Sequence, residues 1–474
     1  MTVLAIDQGT SGTKAIVVDP TEGVVGVSEL AVHPRYLDGG GVEQDPGELL
    51  ESVLAAGRAA VAEAKRPIDA VSLANQGETV LAWDPDTGRA LTDAVVWQDR
   101  RAESLCVAMA EHAELFAAET GLVLDSYFSA PKMAWLRNVE TRGVVTTSDT
   151  WLLHQLTGEF VTDATTASRS LLVSLGAEEW NPDLLDLFGL ADERMPAIVA
   201  NDAVIGSTTA FGGDVPVGGI VVDQQAALLA EACLDAGTAK CTFGTGAFLL
   251  ANVGDEPVRS TTGSTTSIAW RVAGADTFCV DGQVYTAASA VRWLSSLGVI
   301  SGAEELDAVA ESDSGGVLCV PALAGLAAPW WQSGATATLS GMTLSTGRGH
   351  VVLAVLQGIV TQLAELVTAM EADVKPLQRL RVDGGLTRSR VLMQACADIL
   401  QVPVDVYPSP HATALGAAAL ARLSLSPDVG LEAVVAPWTP SSTYEPEWDA
   451  ARTAEFRSRW RNLADTTYTT EEKA

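Results

Sequence analysis

Two stretches in opposite halves of the chain follow one plan. LAIDQGTSGTKAIVVD (4–19) and AKCTFGTGAFLLANVG (239–254) each run strand, glycine-rich turn, strand. The first resembles a phosphate loop but fits no helical version of one. A Walker loop, GxxxxGK[ST], ends a strand and opens a helix. Here Lys14 is followed by Ala15 and by apolar residues at strand spacing. The dinucleotide pattern GxGxxG is also missing. The turn therefore joins two strands. A third apolar run, Val24 to Val27, follows the turn DPTEG and predicts an antiparallel meander. A plan stated twice predicts an internal duplication, with two α/β domains of mixed sheet facing each other.

The intervening sequence supports that reading. Residues 45–65 place Pro after Asp and then carry an apolar stripe at helical spacing. AVSLAN (70–75) reads as a strand, and 95–121 as a strand end followed by one long helix. In the second half, 316–325 reads as a buried strand entering a loop and 348–373 as a long amphipathic helix. Residues 379–407 read as strand, Gly-Gly turn, helix and strand; 413–423 is a helix of small residues suited to close packing. The domain boundary is expected between Glu231 and Ala239. This gives a first domain over 1–236, a second over 237–436, and a charged, weakly patterned tail over 437–474.

Composition narrows the partners. With 29 basic against 60 acidic residues the net charge is −31, which repels nucleic acid and anionic membranes. An anionic ligand must then be held by backbone N–H groups, helix N-termini or a metal ion. The six cysteines show no CxxC spacing and read as buried thiols of a reducing compartment. The five histidines are scattered, so no protein-ligated zinc site is expected. No basic-apolar leader is expected, nor a membrane span: LCVPALAGLAAPWW, the longest apolar candidate, is broken by its prolines. A cytoplasmic location is the expectation.

The glycine turns carry the chemistry. In DQGTSGTK, glycines leave backbone N–H groups approachable, and Thr10, Ser11 and Thr13 add hydroxyls. Asp7 ends the first strand beside them. A carboxylate next to a phosphate cradle is repulsive unless Mg²⁺ lies between, which suggests a metal–nucleotide site. FGTGA (243–247) offers a second cradle. DGGLTRS (383–389) offers a third, at a strand-to-helix turn that favours anions. Taken alone, DQGTSGTK also reads as a surface hairpin.

Further motifs then fall in order along the chain: GVEQDP (41–46), VVWQDRR (95–101), TGLVLDSYFS (120–129), DTWLLHQLTGEFVTDATTASR (149–169), DQQAAL (223–228), VDGGLTRSRVLMQACADIL (382–400) and TALGAAAL (413–420). With the two turns above, this series resembles the FGGY carbohydrate kinases, from Leu4 to about Leu420. The resemblance implies an actin/hexokinase-like fold of two ribonuclease-H-like domains hinged around a cleft. It implies transfer of the γ-phosphoryl group of ATP, with Mg²⁺, to a hydroxyl of a small polyol or sugar. By motif, Asp7 and Asp223 would lie at the metal, and Gly9, Thr10, Ser11, Thr13 and Lys14 would cradle phosphates. Gly244 and Thr245 would form the second phosphate turn; Gly384, Gly385 and Arg388 would meet the α-phosphate or adenosine. Asp223 would be the catalytic base, and Gly77, Glu78, Trp97, Tyr127, Asp223, Gln224 and Tyr285 would line the acceptor pocket. Related kinases are often dimers or tetramers, so a homodimer is expected.

Chemistry agrees with those roles. A hydroxyl is a poor nucleophile, so a carboxylate must take its proton as the new bond forms. Asp223 follows the apolar run GGIVV; read alone it is a helix N-cap. Trp97 and Tyr127, read alone, are core aromatics. One departure stands out. The glycerol-specific pattern of the family has an arginine before the glutamate, NQRET, where this chain has NQGET (75–79). Gly77 removes a cation and opens space, which predicts an acceptor larger than glycerol, with four or five carbons. Compensation by another arginine, such as Arg100, is the alternative. An ATPase switch of the same fold, without acceptor, is the competing class, but NQGET, WQDRR, DSYFS and DQQAAL have no task in one.

Overall fold

The computed structural model describes residues 1–467. The repeated plan returns as two sheets of one topology. In the first, Val3–Gln8, Gly12–Asp19 and Gly23–Ala31 form the antiparallel meander, and Ala70–Asn75 and Val215–Val222 extend it in parallel from the side of Val3–Gln8. In the second, Ala239–Phe243, Ala247–Gly254 and Ala275–Val284 form the meander, and Leu380–Asp383 and Val404–Val406 extend it in parallel. This is the ribonuclease-H-like arrangement, stated twice.

Each predicted helix has a local cause. Asp45 accepts from the N–H groups of Gly47 and Glu48, Pro46 opens the helix Pro46–Ala64, and Lys65 closes it in the left-handed region. Three readings need correction. Residues 95–121 hold no single long helix: they break into Glu103–Ala108, a 3₁₀ turn and Ala113–Thr120. The segment after Pro437, a weakly patterned tail by sequence, carries defined elements. Ser442–Tyr444 joins the second sheet at its edge, and Ala450–Ala464 buries Trp460 completely. Residues 468–474 of that segment lie outside the described residues. Finally, the helix Arg348–Met370 is long and apolar enough to cross a membrane, a feature the apolar-run reading missed. Of its most apolar 18 residues, 83% are buried, as befits the central core helix of the second domain.

The small-residue helix Ala412–Ser424 crosses between the halves. It comes from the second half of the sequence but packs Ala414, Ala418 and Ala421 against Val3, Ala5, Ile16, Val18 and Ala70 of the first sheet. A separate small sheet, including Val80–Trp83 and Val144–Thr147, is inserted in the first half and backs the aromatic pocket described below.

Candidate active site

Parallel strands deliver the first half's key residues to one edge. Val3–Gln8, Ala70–Asn75 and Val215–Val222 run side by side, with Asp7 opposite Ala74 and Val222 opposite Asn75. Their carboxyl ends therefore carry Asp7, the Gly77-Glu78 turn and Asp223 to the same place, where open α/β sheets bind ligands. The second sheet does the same with Gly244, Thr245 and Asp383.

A cavity of about 500 Å³ opens between these edges. Thr10, Ser11, Gly77, Glu78, Trp97, Tyr127, Asp223, Gln224, Gly244 and Thr245 all line it. Trp97 meets Tyr127 and Phe248 edge-on, each at 5.7 Å between ring centres, so Phe248 of the second domain completes an aromatic wall. Asp223 is the first residue of the helix Asp223–Ala230 and not its cap, since Val222 occupies the cap position. Burial and the Glu78 charge push its carboxyl up to about 6, with Lys240 and the Gln224 N–H pulling back. Lys240 Nζ donates to Gln224 Oε1 at 2.6 Å and to Thr242 Oγ1 at 2.7 Å.

Sequence reasoning gave no role to the residue at the centre of this pocket. Arg169 is buried, lines the cavity and donates from Nε to Glu78 Oε1. Its Nη1 donates to Asp281 Oδ2 at 2.7 Å, while Nη2 reaches the Tyr127 hydroxyl at only 3.4 Å. Burial opposes its charge, but Asp281 and Glu78 outweigh that and hold the guanidinium protonated. Glu78 itself has φ +58°, a left-handed conformation that non-glycine residues adopt at a cost and that here aims a side chain. Gly77 needs no such freedom: a Cβ there would meet only Val222, at 3.4 Å.

Other expected ligands are placed differently. The Thr13 hydroxyl is 2.6 Å from Ser52 Oγ, facing the helix Pro46–Ala64 and away from the cleft, because strand alternation turns it inward. The Thr10 hydroxyl is already engaged: it donates to Gln76 Oε1 at 2.9 Å and accepts from Trp97 Nε1 at 2.8 Å. The Gly9 N–H closes its own turn on the Gly12 carbonyl at 2.9 Å. Lys14 approaches the Pro410 carbonyl at 3.4 Å, and its charge partly offsets the burial that raises both the Asp7 and the Asp383 carboxyl. Gly384 has φ +95°, and a Cβ there would lie 2.4 Å from the Phe243 carbonyl, so the turn demands glycine. Gly385 and Arg388 are exposed and lie off the cavity lining. Tyr285 lines a second, adjoining cavity with Arg100 and Asp125, and not the main one.

The acidic set suits a divalent cation. Burial, then Asp223 and Asp383, push the Asp7 carboxyl up to about 7. Asp383 Oδ1 is buried without a hydrogen-bond partner. Among the described residues no group of three or more ligating side chains forms a protein cage for a metal. Mg²⁺ in phosphoryl-transfer sites needs none: one or two carboxylates, waters and substrate phosphates hold it. Asp7 and Asp223 fit that requirement.

Duplicated ribonuclease-H-like sheets, whose edges bring two glycine turns and an aromatic wall to one cavity, fit the class of sugar and polyol kinases with the actin/hexokinase-like fold. Models of the N-terminal and C-terminal domains of the FGGY family of carbohydrate kinases match residues 2–230 and 239–425. The chain belongs to the FGGY family of carbohydrate kinases and is an ATP-dependent kinase of that family. A glycerol kinase of Bordetella parapertussis is 41% identical, over 98% of this chain and 96% of that protein. A glycerol kinase of Thermus brockianus is 40% identical, over 98% of both. The crystal structure of Plasmodium falciparum glycerol kinase with ADP superimposes with a TM-score of 0.89 at 30% identity, over 99% of this chain and 98% of that one. A xylulose kinase structure from Lactobacillus acidophilus shares the fold with the same TM-score of 0.89 at 20% identity, over 100% of this chain and 99% of that one.

Proposed function

We propose that the enzyme uses Mg-ATP to phosphorylate a hydroxyl of a neutral polyol or sugar larger than glycerol. Asp223 takes the proton of the attacking hydroxyl as its oxygen bonds to the γ-phosphorus and ADP departs. Mg²⁺, when bound, neutralises charge on the β- and γ-phosphates. Glu78 and Arg169 orient the acceptor's other hydroxyls, and the Trp97–Tyr127–Phe248 wall packs its carbon backbone. The free cysteines, all buried among the described residues, support a reducing cytoplasm as its location.

The observation that carries the acceptor size is Gly77. It lines the cavity in a conformation that any residue can adopt, so its lack of a side chain is unforced and leaves room. A second reading, a glycerol kinase with a compensated pocket, is favoured by Arg169, which brings a guanidinium to Glu78 from another part of the chain. An ADP-release assay across glycerol, erythritol, pentitols and ketopentoses separates the two. Under the first reading a four- or five-carbon acceptor gives the highest kcat/KM, and Gly77→Arg shifts preference toward glycerol by about tenfold or more. Glycerol leading by a wide margin in the wild type would establish the second.

A further inference from the structure

The acceptor cavity continues past its aromatic wall. Trp97, Gln98 and Tyr127 line both it and the adjoining cavity of about 70 Å³. One strand runs along this passage. On Ala275–Val284, side chains two residues apart share a face. Asp281 holds Arg169 in the first cavity, Gln283 lines the same cavity further on, and Tyr285, just past the strand, lines the second. The strand thus measures a direction, from the Glu78–Arg169 pair toward Arg100 and Asp125.

Two amides along this direction are unsatisfied. Gln283 is 2% exposed and its buried Nε2 has no hydrogen-bond partner among the described residues. The Tyr285 hydroxyl lies beside the Gln283 amide, but Nε2 makes no hydrogen bond to it of good distance and angle. Gln98 Oε1 is likewise buried and unpartnered. Buried amides left so are costly, and both belong to residues lining the cavity, where a ligand can reach them. A hydroxyl both donates and accepts, so it suits a free amide donor beside a free amide acceptor, in either orientation of the amides. A carboxylate only accepts: it could pair with Gln283 Nε2 or Arg100, but it would leave Gln98 Oε1 unpaired and lie beside Asp125.

We propose that Gln98 and Gln283 form an extension subsite that binds a hydroxyl on a carbon beyond the third of the acceptor, selecting neutral polyols and sugars over glycerol and over sugar acids. The subsite rests on the reading that the acceptor is larger than glycerol.

The test compares wild type, Gln283→Leu and Gln98→Leu on glycerol, erythritol, ribitol and gluconate, with ADP binding by calorimetry as a check of the fold. For Gln283→Leu, the ratio of kcat/KM for erythritol or ribitol over that for glycerol should fall at least tenfold, mainly through KM. Gln98→Leu, on a different segment, should move the ratio the same way and carries the test if Gln283→Leu fails to bind ADP. A wild type that prefers glycerol overturns the larger-acceptor reading and the subsite with it. A wild type that prefers longer polyols, with ratios unmoved in both variants, overturns the subsite alone. Gluconate as the best acceptor overturns the neutral class.

Discussion

In the proposed reaction, Asp223 is the side chain that collects the demands placed on a base. The strand Val215–Val222 ends just before it, and the helix Asp223–Ala230 begins with it. Burial and Glu78 raise its carboxyl to about 6, close to the pH at which a base must both be ionised and hold a proton. Below that value the carboxyl is protonated and cannot accept from the acceptor hydroxyl. The expected outcome is a kcat/KM that falls about tenfold per pH unit below about 6, an acid limb absent from Asp223→Asn. That variant should lose about 10²- to 10⁴-fold in kcat while still binding ADP. A pH–rate profile and calorimetry check both, and undiminished turnover in Asp223→Asn would remove the base assignment. Arg169 makes the opposite point. It pairs with Asp281, separated from it by 112 positions in sequence, so no local pattern announces the pair.

At the scale of elements, the helix Ala412–Ser424 locks the two halves together through small residues. A Cβ on Gly416 would lie 1.9 Å from the Ala226 carbonyl, on the helix that Asp223 opens. That contact is backbone and cannot yield without moving a helix. Gly416→Ala should therefore destabilise by about 1–3 kcal/mol and lower kcat as Asp223 shifts. Gly385→Ala, with nothing within 4 Å, should stay within about 0.5 kcal/mol in denaturant melts. Equal stability of the two would refute the close-packing account. The same helix marks how much could be read from sequence. Its existence followed from its composition, and the meanders followed from alternating apolar runs around glycine turns. Its partner did not follow, because the sheet it covers lies in the other half of the chain. The broken helices of 95–121 look continuous to an apolar count, since breaks at Met109 and Ala113 carry no proline or glycine. The inward face of Thr13 was legible in principle, from strand alternation with Lys14; the neighbouring hydroxyls and glycines drew it into the phosphate loop instead.

The whole molecule carries an electrostatic load that its ligands relieve. Its net charge is −31, and some of the carboxyls counted in it are buried and held above their ordinary range. Asp7 is pushed up to about 7 and Asp223 to about 6, with the fully buried Asp149 also at about 6, against 3.8 for the free side chain. In each case burial is the largest cause. The folded state therefore binds these protons more tightly than the unfolded chain does. Stability from the three groups is fully present below about 4 and is lost as pH rises through 6 to 7. Repulsion within an acidic surface acts in the same direction. The nucleotide-free enzyme should accordingly melt at a higher temperature at pH 6 than at pH 8. Mg²⁺ with ADP should flatten that slope, because a cation beside Asp7 and Asp223 favours their ionised forms and leaves the other buried carboxyls, Asp149 and Asp163 among them, as contributors. Scanning fluorimetry across this range, with and without Mg-ADP, reads both effects. A melting temperature that climbs from pH 6 to pH 8 without ligands, or an identical slope with them, would mean that the cleft carboxylates do not carry this strain.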